Sequence, residues 1–279
     1  MWRIRVFLLA TFGVLLAGLL SIFLSADKAA NARLSLASPT GVCITPPAGM
    51  VAWYPLDETS GNTMTDLTGT YTGTYFNNPA INLGHYVLNS RIFDGVNQYG
   101  EAPTGPNFGT GDFTIDAWIN LTSTGAQILV DKRSVTPIGY MLFVAGGSLG
   151  IQIADGNGQP SMYIMSGSPL INDGQWHFVA AVVQRIGQNR VSLTTDSTIQ
   201  NFNNAPIGSL NNTNGLRIAR SWANNLDPVE HYYNGVIDEV ELFNRALSET
   251  DLGNIRSAGV NGKCKGPTQT PTPTITETS

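Results

Sequence analysis

Short segments of alternating polarity, separated by turn residues, fill most of the sequence and constrain its fold more than any other feature. Apolar residues recur at every second position in "DFTIDAWINL" and in "GQWHFVAAVVQR", which is the spacing of strands that bury one face. Glycine-containing turns interrupt "GYMLFVAGGSLGIQIADGNG", which predicts a hairpin followed by a further turn. Repeated strands of this kind predict an antiparallel sandwich of two sheets.

One short helix is predicted near the end of this region. Ser248 is a suitable N-cap, and Asp251 at the third helical position completes a capping box. Leu252 and Ile255 supply the apolar stripe, and Gly259 ends the helix. The predicted fold class is therefore all-β with one short C-terminal helix.

The N-terminal segment has the composition of an export signal. Arg3 and Arg5 precede an uncharged, mostly apolar run from Val6 to Leu24, and the small residues Ala-Asn-Ala follow at 30–32. This pattern predicts a signal peptide over residues 1–32. Retention as an N-terminal anchor is the alternative, because the run is long enough to span a bilayer. Under either interpretation the remaining chain is secreted or at the cell surface, with membrane contact only through such an anchor.

The other end, residues 265–279, is a low-complexity tail rich in Pro and Thr. It has no apolar face to bury, so an extended linker or stalk is predicted. The tail either tethers the domain to a surface or continues into a longer protein.

The charge balance limits the class of partner. The chain has 20 acidic and 15 basic residues, a net charge of -5, and only 13% charged residues in all. This balance argues against nucleic acid and anionic membrane as partners. A low charge content suits a secreted β protein that binds a glycan or a surface protein.

Two cysteines, Cys43 and Cys264, bracket the strand-rich region. In an oxidising compartment, two cysteines that flank one domain are expected to pair with each other. Closing a loop of this length by a disulfide is worth at most about 5 kcal/mol. We therefore predict a disulfide that joins the first and last strands.

Five motifs occur in order along the domain: "GMVAWYPLDETSGNTMTDLTG", "RIFDGVNQY", "FTIDAWINL", "GQWHFVAAVV" and "GVIDEVELFNRALSETDL". Together they resemble the laminin G-like jelly-roll domain of the concanavalin A-like lectin/glucanase superfamily, in its bacterial secreted form. The resemblance covers about residues 48–262, and the domain is predicted over residues 43–264, between the two cysteines. It implies two curved antiparallel sheets of six or seven strands each, with the first and last strands adjacent, which would bring the two cysteines together.

The same superfamily includes glycosidases whose strand motif E-x-D-x-x-E places an acid and a nucleophile on one face. The nearest match, at residues 249–254, lacks the final Glu and falls on the predicted helix. Glu239 and Glu241 share a strand face, but their parity predicts a solvated edge. His177 is likewise predicted at the surface. We therefore predict a non-catalytic protein, with a glycoside hydrolase as the least favoured alternative.

A polar loop, "RSWANNLDPVEHYYNG", carries the predicted ligand site. Trp222, Asn224 and Tyr232 combine an aromatic platform with hydrogen-bonding groups, as sugar sites do. A neutral or weakly polar glycan is the expected ligand of a carbohydrate-binding or adhesion module. The alternatives are that Trp222 caps the sandwich rim, and that the domain is an architectural protein-interaction piece of a surface protein.

Asp238 is unusual within the last predicted strand. Strict alternation places Asp238 on one face with Val236, Val240 and Leu242, so its charge needs a partner. The alternatives are an arginine, backbone N–H groups or a metal.

The resemblance implies a structural calcium ion where the first and last strands meet. Asp238 matches the position of a last-strand ligand, and Asp57, Asp66 and Asp94 are the acidic residues able to complete the set. Backbone carbonyl groups would supply the remaining oxygen ligands. A hydrogen-bonded aspartate without a metal is the alternative.

Overall fold

The computed structural model describes residues 42–84, 86–158, 160–167 and 169–266, all within one compact unit. The predicted signal peptide or anchor lies outside the described residues, as does the tail beyond residue 266. Within the ranges described, no helix has the length and apolar character needed to cross a membrane.

The described chain forms two antiparallel sheets and one short helix. The strands are β1 Met50–Tyr54, β2 Thr63–Met64, β3 Gly73–Phe76, β4 Ala80–Leu83, β5 Asn89–Asp94, β6 Tyr99–Ala102, β7 Phe113–Leu121, β8 Gln127–Asp131, β9 Gly139–Ala145, β10 Ser148–Ala154, β11 Ser161–Ile164, β12 His177–Gln184, β13 Arg190–Thr195, β14 Thr198–Asn203, β15 Leu216–Ile218 and β16 Asn234–Phe243. Helix α1 spans Glu249–Ala258, and a 3-10 turn, Gly259–Asn261, follows it.

The first sheet has the order β14-β13-β12-β7-β16-β5-β4, with β1 also paired to β16. The second sheet has the order β11-β10-β9-β8-β15-β6-β3-β2. The all-β jelly-roll prediction is confirmed, and so is the adjacency of the first and last strands. Each sheet has eight strands rather than six or seven, because short strands such as β2 and β4 extend the edges.

The main core fills the space between the sheets. The alternating residues of β7, including Ile115, Ala117 and Ile119, are fully buried there against residues of the second sheet such as Leu142 and Ile151. Burying each aliphatic side chain of this size contributes about 1.5–3 kcal/mol.

A second apolar cluster lies on the outer side of the first sheet. Trp118 and Phe178 pack there with Leu252 and Ile255 of helix α1. The capping box of Ser248 and Asp251 is present, and Gly259 ends the helix as predicted. The first sheet is therefore covered on both faces over this area.

The disulfide between Cys43 and Cys264 is confirmed, with 4.9 Å between the two Cα atoms. The sequence-based prediction that it joins the first and last strands themselves is wrong. It joins two end segments outside the sheet, which are aligned by a parallel bridge between Ile44 and Lys263. Residues that follow the helix, rather than β16, carry the second cysteine back to the N-terminal segment.

A β-bulge divides β16 where its neighbour changes. Residues 234–237 pair with β5, whereas residues 240–243 pair with β1. The register against β7 shifts between Asp238 and Glu241, and Glu239 has a positive φ of 50°. A bulge inserts one extra residue and so reverses the side-chain parity beyond it.

Two sequence predictions are corrected in this strand. The residues that face the main core are Ile237, Val240 and Leu242, so Asp238 does not share the face of Val240 and Leu242. Strict alternation failed at Asp238 because it assumed an unbroken strand. Glu239 and Glu241 are not at a solvated edge but are 1% and 0% exposed, because the segment that carries Lys263 packs against them.

Candidate binding face and buried charge cluster

Aromatic and arginine side chains gather on the second sheet. We call this set the aromatic–arginine face; its members are Phe76, Tyr99, Arg217, Arg220, Trp222 and Tyr232. Phe76 on β3 lies opposite Tyr99 on β6, and their rings stack with centroids 4.7 Å apart. Tyr232 meets Tyr99 edge-on at 6.5 Å. Phe76 is 39% exposed, so the row of rings reaches the surface.

The two arginines connect the rings. The Arg217 guanidinium lies 3.4 Å from the ring centroid of Trp222 and 5.5 Å from that of Tyr99. The Arg220 guanidinium lies 4.4 Å from the Tyr99 centroid and 5.2 Å from that of Tyr232. Cation–π contacts of this kind hold flat rings in fixed orientations.

Carboxylates neutralise these arginines. Arg217 pairs with Glu101 at 2.8 Å and with Glu230 at 3.1 Å, while Arg220 also pairs with Glu230. Partial burial by itself would raise the pKa of Glu230, but the hydrogen bond that Arg220 donates to it lowers the pKa overall. Two cations and two anions leave the face without net charge.

Two of the three predicted ligand-site residues lie on this face. Trp222 is partly exposed; its backbone N–H donates to Asp131 at 2.8 Å, and its indole N–H donates to the Gly215 carbonyl at 3.2 Å. Tyr232 is partly exposed beside it. Asn224 is buried instead, because its side-chain oxygen accepts the N–H groups of Leu226 and Asp227 in a turn.

The other members of the face were not predicted from the sequence. Phe76, Tyr99, Arg217 and Arg220 come from three separate segments of the chain. Only the pairing of β3, β6 and β15 brings them together. The available signal was weak, because single aromatic residues on short strands resemble core residues.

A second grouping, the buried charge cluster, lies on the outer side of the first sheet. Its members are Asp116, Glu239, Glu241 and Lys263. Lys263 Nζ is in ion-pair contact with Glu241 and lies 3.5 Å from Glu239 Oε2. The indole N–H of Trp53 donates to the same Glu239 oxygen at 2.9 Å.

Asp116 lies directly opposite Glu241 on the neighbouring strand β7. Burial raises the pKa of Asp116 to about 7, although Lys263 opposes the rise. Burial likewise raises the pKa of Glu241 well above its usual range. Asp116 and Glu241 therefore stay protonated to a higher pH than exposed carboxyl groups do.

Comparison with known families identifies the fold family. A family model described as the concanavalin A-like lectin/glucanases superfamily matches residues 94–253, more than half of the chain. The chain belongs to this superfamily. A sequence comparison with curated proteins gives no match.

Several solved structures that resemble this superfamily member are binding domains of toxins. The binding domain of Paraclostridial Mosquitocidal Protein 1 has 15% identity and a TM-score of 0.60, covering 75% of this chain and 52% of that chain. The receptor-binding domain of botulinum neurotoxin C/D mosaic serotype has 12% identity and a TM-score of 0.57, covering 75% and 51%. At such identities the likeness shows the fold alone, and this chain spans about half the length of those structures.

A third similar structure is the botulinum neurotoxin serotype D ligand-binding domain in complex with N-acetylneuraminic acid. Its identity is 13% and its TM-score 0.56, covering 75% of this chain and 51% of that chain.

The resemblance to this superfamily implied a calcium site formed by Asp57, Asp66, Asp94 and Asp238. The structure does not bring all four carboxylates together. Asp66 accepts N–H groups from Trp53, Thr68 and Tyr71 at 2.8–2.9 Å. Asp94 accepts the N–H groups of the turn at residues 96–98. Both carboxylates are thus occupied by backbone donors.

Asp57 and Asp238 lie closer together, against one loop. Asp238 Oδ2 accepts the Val87 N–H at 2.8 Å, and Asp57 Oδ1 accepts the Asn89 N–H at 2.9 Å. Asp57 also pairs with Lys265. Among the described residues, no three or more His, Cys, Asp or Glu side chains converge as a metal site. Calcium binding stays a prediction.

His177 is not at the surface, which corrects another sequence prediction. It is 7% exposed, and its ring nitrogens lie 2.8 Å from Asp196 and 3.0 Å from Asp173. Burial by itself would lower the pKa of His177, but the hydrogen bonds that its ring donates to Asp196 and Asp173 raise the pKa overall.

Proposed function

We propose that this domain is an exported, non-catalytic module that binds carbohydrate through the aromatic–arginine face. The observation that carries the proposal is the row of rings that arginines hold in place, with Phe76, Trp222 and Tyr232 at least partly exposed around the buried Tyr99. Sugars bind by stacking on aromatic faces and by hydrogen bonds to fixed polar groups. Trp222 and Tyr232 are the proposed contacts, and Asn224 shapes the turn that carries Trp222.

A neutral or weakly polar glycan fits this face best. Arg217 and Arg220 already pair with Glu101 and Glu230, so they offer directed N–H donors but little excess positive charge. A strongly anionic ligand would have to compete with these internal carboxylates.

The placement of the carboxylates supports a non-catalytic role. A glycosidase needs two carboxyl groups that reach the scissile bond from either side. Glu239 and Glu241, the pair on β16, are at most 1% exposed and already contact Trp53 or Lys263. A polysaccharide cannot reach them without unfolding the segment that covers them.

A surface-protein partner is the alternative. Two of the similar structures are complexes: the serotype D ligand-binding domain with N-acetylneuraminic acid, and the binding domain of botulinum neurotoxin DC with rat synaptotagmin II. The same fold therefore serves both kinds of ligand, and the fold alone does not choose between them.

A glycan array with the exported protein tests the proposal. We expect binding to neutral glycans that Trp222→Ala and Tyr232→Ala each weaken at least tenfold. Trp176→Ala, a partly exposed tryptophan on the other sheet, is the matched control and should leave binding unchanged. Absence of binding across plant, algal and bacterial glycans would favour the architectural alternative.

A further inference from the structure

Lys263 and Glu241 are held in contact inside the protein, away from water. Their side chains are 2% and 0% exposed. Glu241 is on β16, whereas Lys263 follows the helix and bridges to Ile44. Two groups that can form an amide are thus fixed together by tertiary structure, the situation in which effective concentrations reach about 10⁵–10⁸ M.

A third group is placed to carry protons. Asp116 lies opposite Glu241 on the adjacent strand and is 1% exposed. Burial raises its pKa to about 7, so it can accept and release a proton near neutral pH. Burial lowers the pKa of Lys263, but Glu241 and Glu239 raise it more, so its free amine forms only by proton transfer within the cluster.

A buried ion pair between Lys263 and Glu241 is energetically unfavourable unless its atoms are fully hydrogen-bonded. Two buried charges lose their hydration, which their attraction repays only when all remaining atoms are hydrogen-bonded. Glu241 Oε2 and Asp116 Oδ2 have no hydrogen-bond donor among the described residues. An amide would remove both charges and also one of the two Glu241 oxygens.

We propose that Lys263 and Glu241 join as an intramolecular amide, with Asp116 as the proton carrier. The Lys263 nitrogen attacks the Glu241 carboxyl carbon, forming the C–N bond, and one C–O bond of that carboxyl breaks. Two of the three ammonium protons leave with this oxygen as water, relayed by Asp116. An ammonium and a carboxylate thus become a neutral amide and water, with no change in oxidation state.

A second lysine provides an internal comparison. Lys265 pairs with Asp57 and with Glu239, but its side chain is 17% exposed and that of Asp57 is 20% exposed. Both residues line an open cavity of about 680 Å³. Water reaches this pair, which favours the hydrated ions, so it remains an ion pair.

The amide would connect β16 to the residue next to Cys264. The C-terminal end segment would then carry covalent links at two adjacent residues, one from Lys263 to β16 and one from Cys264 to Cys43 in the N-terminal segment. Reduction of the disulfide alone would leave the end segment attached to the sheet.

Peptide mapping of the exported protein after reduction and trypsin digestion tests the proposal. The expected product is one linked species of residues 221–245 and 257–265, lighter than the two peptides by one water, because modified Lys263 is not cleaved. Recovery of unlinked peptides 221–245 and 257–263 from the wild-type protein would overturn the proposal. This measurement needs no variant, so misfolding cannot obscure it.

Three variants test which side chains form the link. Lys263→Arg keeps the charge but should abolish the linked species, and Asp116→Asn should reduce it at least tenfold. Lys265→Arg is the matched control and should leave it intact. Loss of the link in Lys265→Arg, with retention in Lys263→Arg, would show that the wrong lysine was assigned.

Discussion

The aromatic–arginine face and the buried charge cluster contain the same chemistry in different surroundings. In each, basic side chains pair with glutamates beside a tryptophan: Arg217 and Arg220 beside Trp222 on the face, and Lys263 beside Trp53 at the cluster. On the face, two arginines match two glutamates and the set stays partly hydrated. In the cluster, Asp116, Glu239 and Glu241 surround a single fully buried Lys263. On the face, the ion pairs therefore fix the orientation of the rings. In the cluster, burial instead raises the pKa of Asp116 and Glu241.

The largest contrast is expected on removing one partner from each region. Lys263→Met removes the side chain that contacts Glu239 and Glu241 and leaves both as buried carboxyl groups without that partner, which should cost about 3–5 kcal/mol of unfolding free energy. Glu101→Gln on the aromatic–arginine face should cost less than about 1 kcal/mol, since that pair is partly hydrated. Urea unfolding of both variants measures the difference, and equal losses would contradict the contrast.

Removing the disulfide tests the covalent support of the cluster. Cys43→Ser with Cys264→Ser should lower the unfolding free energy by roughly 2–5 kcal/mol. The same substitution should leave glycan binding at 25 °C unchanged, because the aromatic–arginine face lies on the other sheet. A loss of binding in variant protein that is still folded would show that the two regions are coupled.

The free energy of unfolding should fall as pH rises, because Asp116 in the buried charge cluster has a raised pKa. The folded-state pKa of Asp116 is raised from 3.8 to about 7, so its contribution is fully present below pH 3.8 and is lost as pH rises through about 7. His177, whose pKa is also raised, adds a loss above its unfolded value of 6.5. Asp116→Asn should flatten the decline between pH 4 and 7 in chemical unfolding.

The smallest expected effect concerns calcium. If Asp57 and Asp238 bind the ion, the thermal midpoint should rise with calcium and fall with a chelator, because the ion binds only the folded state. Asp238→Ala should abolish the rise, whereas Asp94→Ala, in a separate turn, should preserve it. A midpoint indifferent to both additions, in metal-free protein, would leave Asp238 as an acceptor of the Val87 N–H.

The sequence was informative where a signal was local. Ser248 and Asp251 predicted the helix start because capping needs only neighbouring residues. The alternation in β7 predicted its core face because that strand is unbroken. Cys43 and Cys264 predicted their own pairing because no other cysteine competes.

Tertiary structure decided what lies beyond the bulge in β16. A single extra residue at Glu239 places Asp238 off the core face that Val240 and Leu242 occupy, and no sequence pattern marks that insertion. The segment after helix α1 then covered Glu239 and Glu241, making them buried rather than solvated. The sequence by itself determined the strands, the helix and the disulfide, because period, capping and cysteine count act locally. The environment of each charge was decided only in three dimensions, because burial depends on which distant segment covers it.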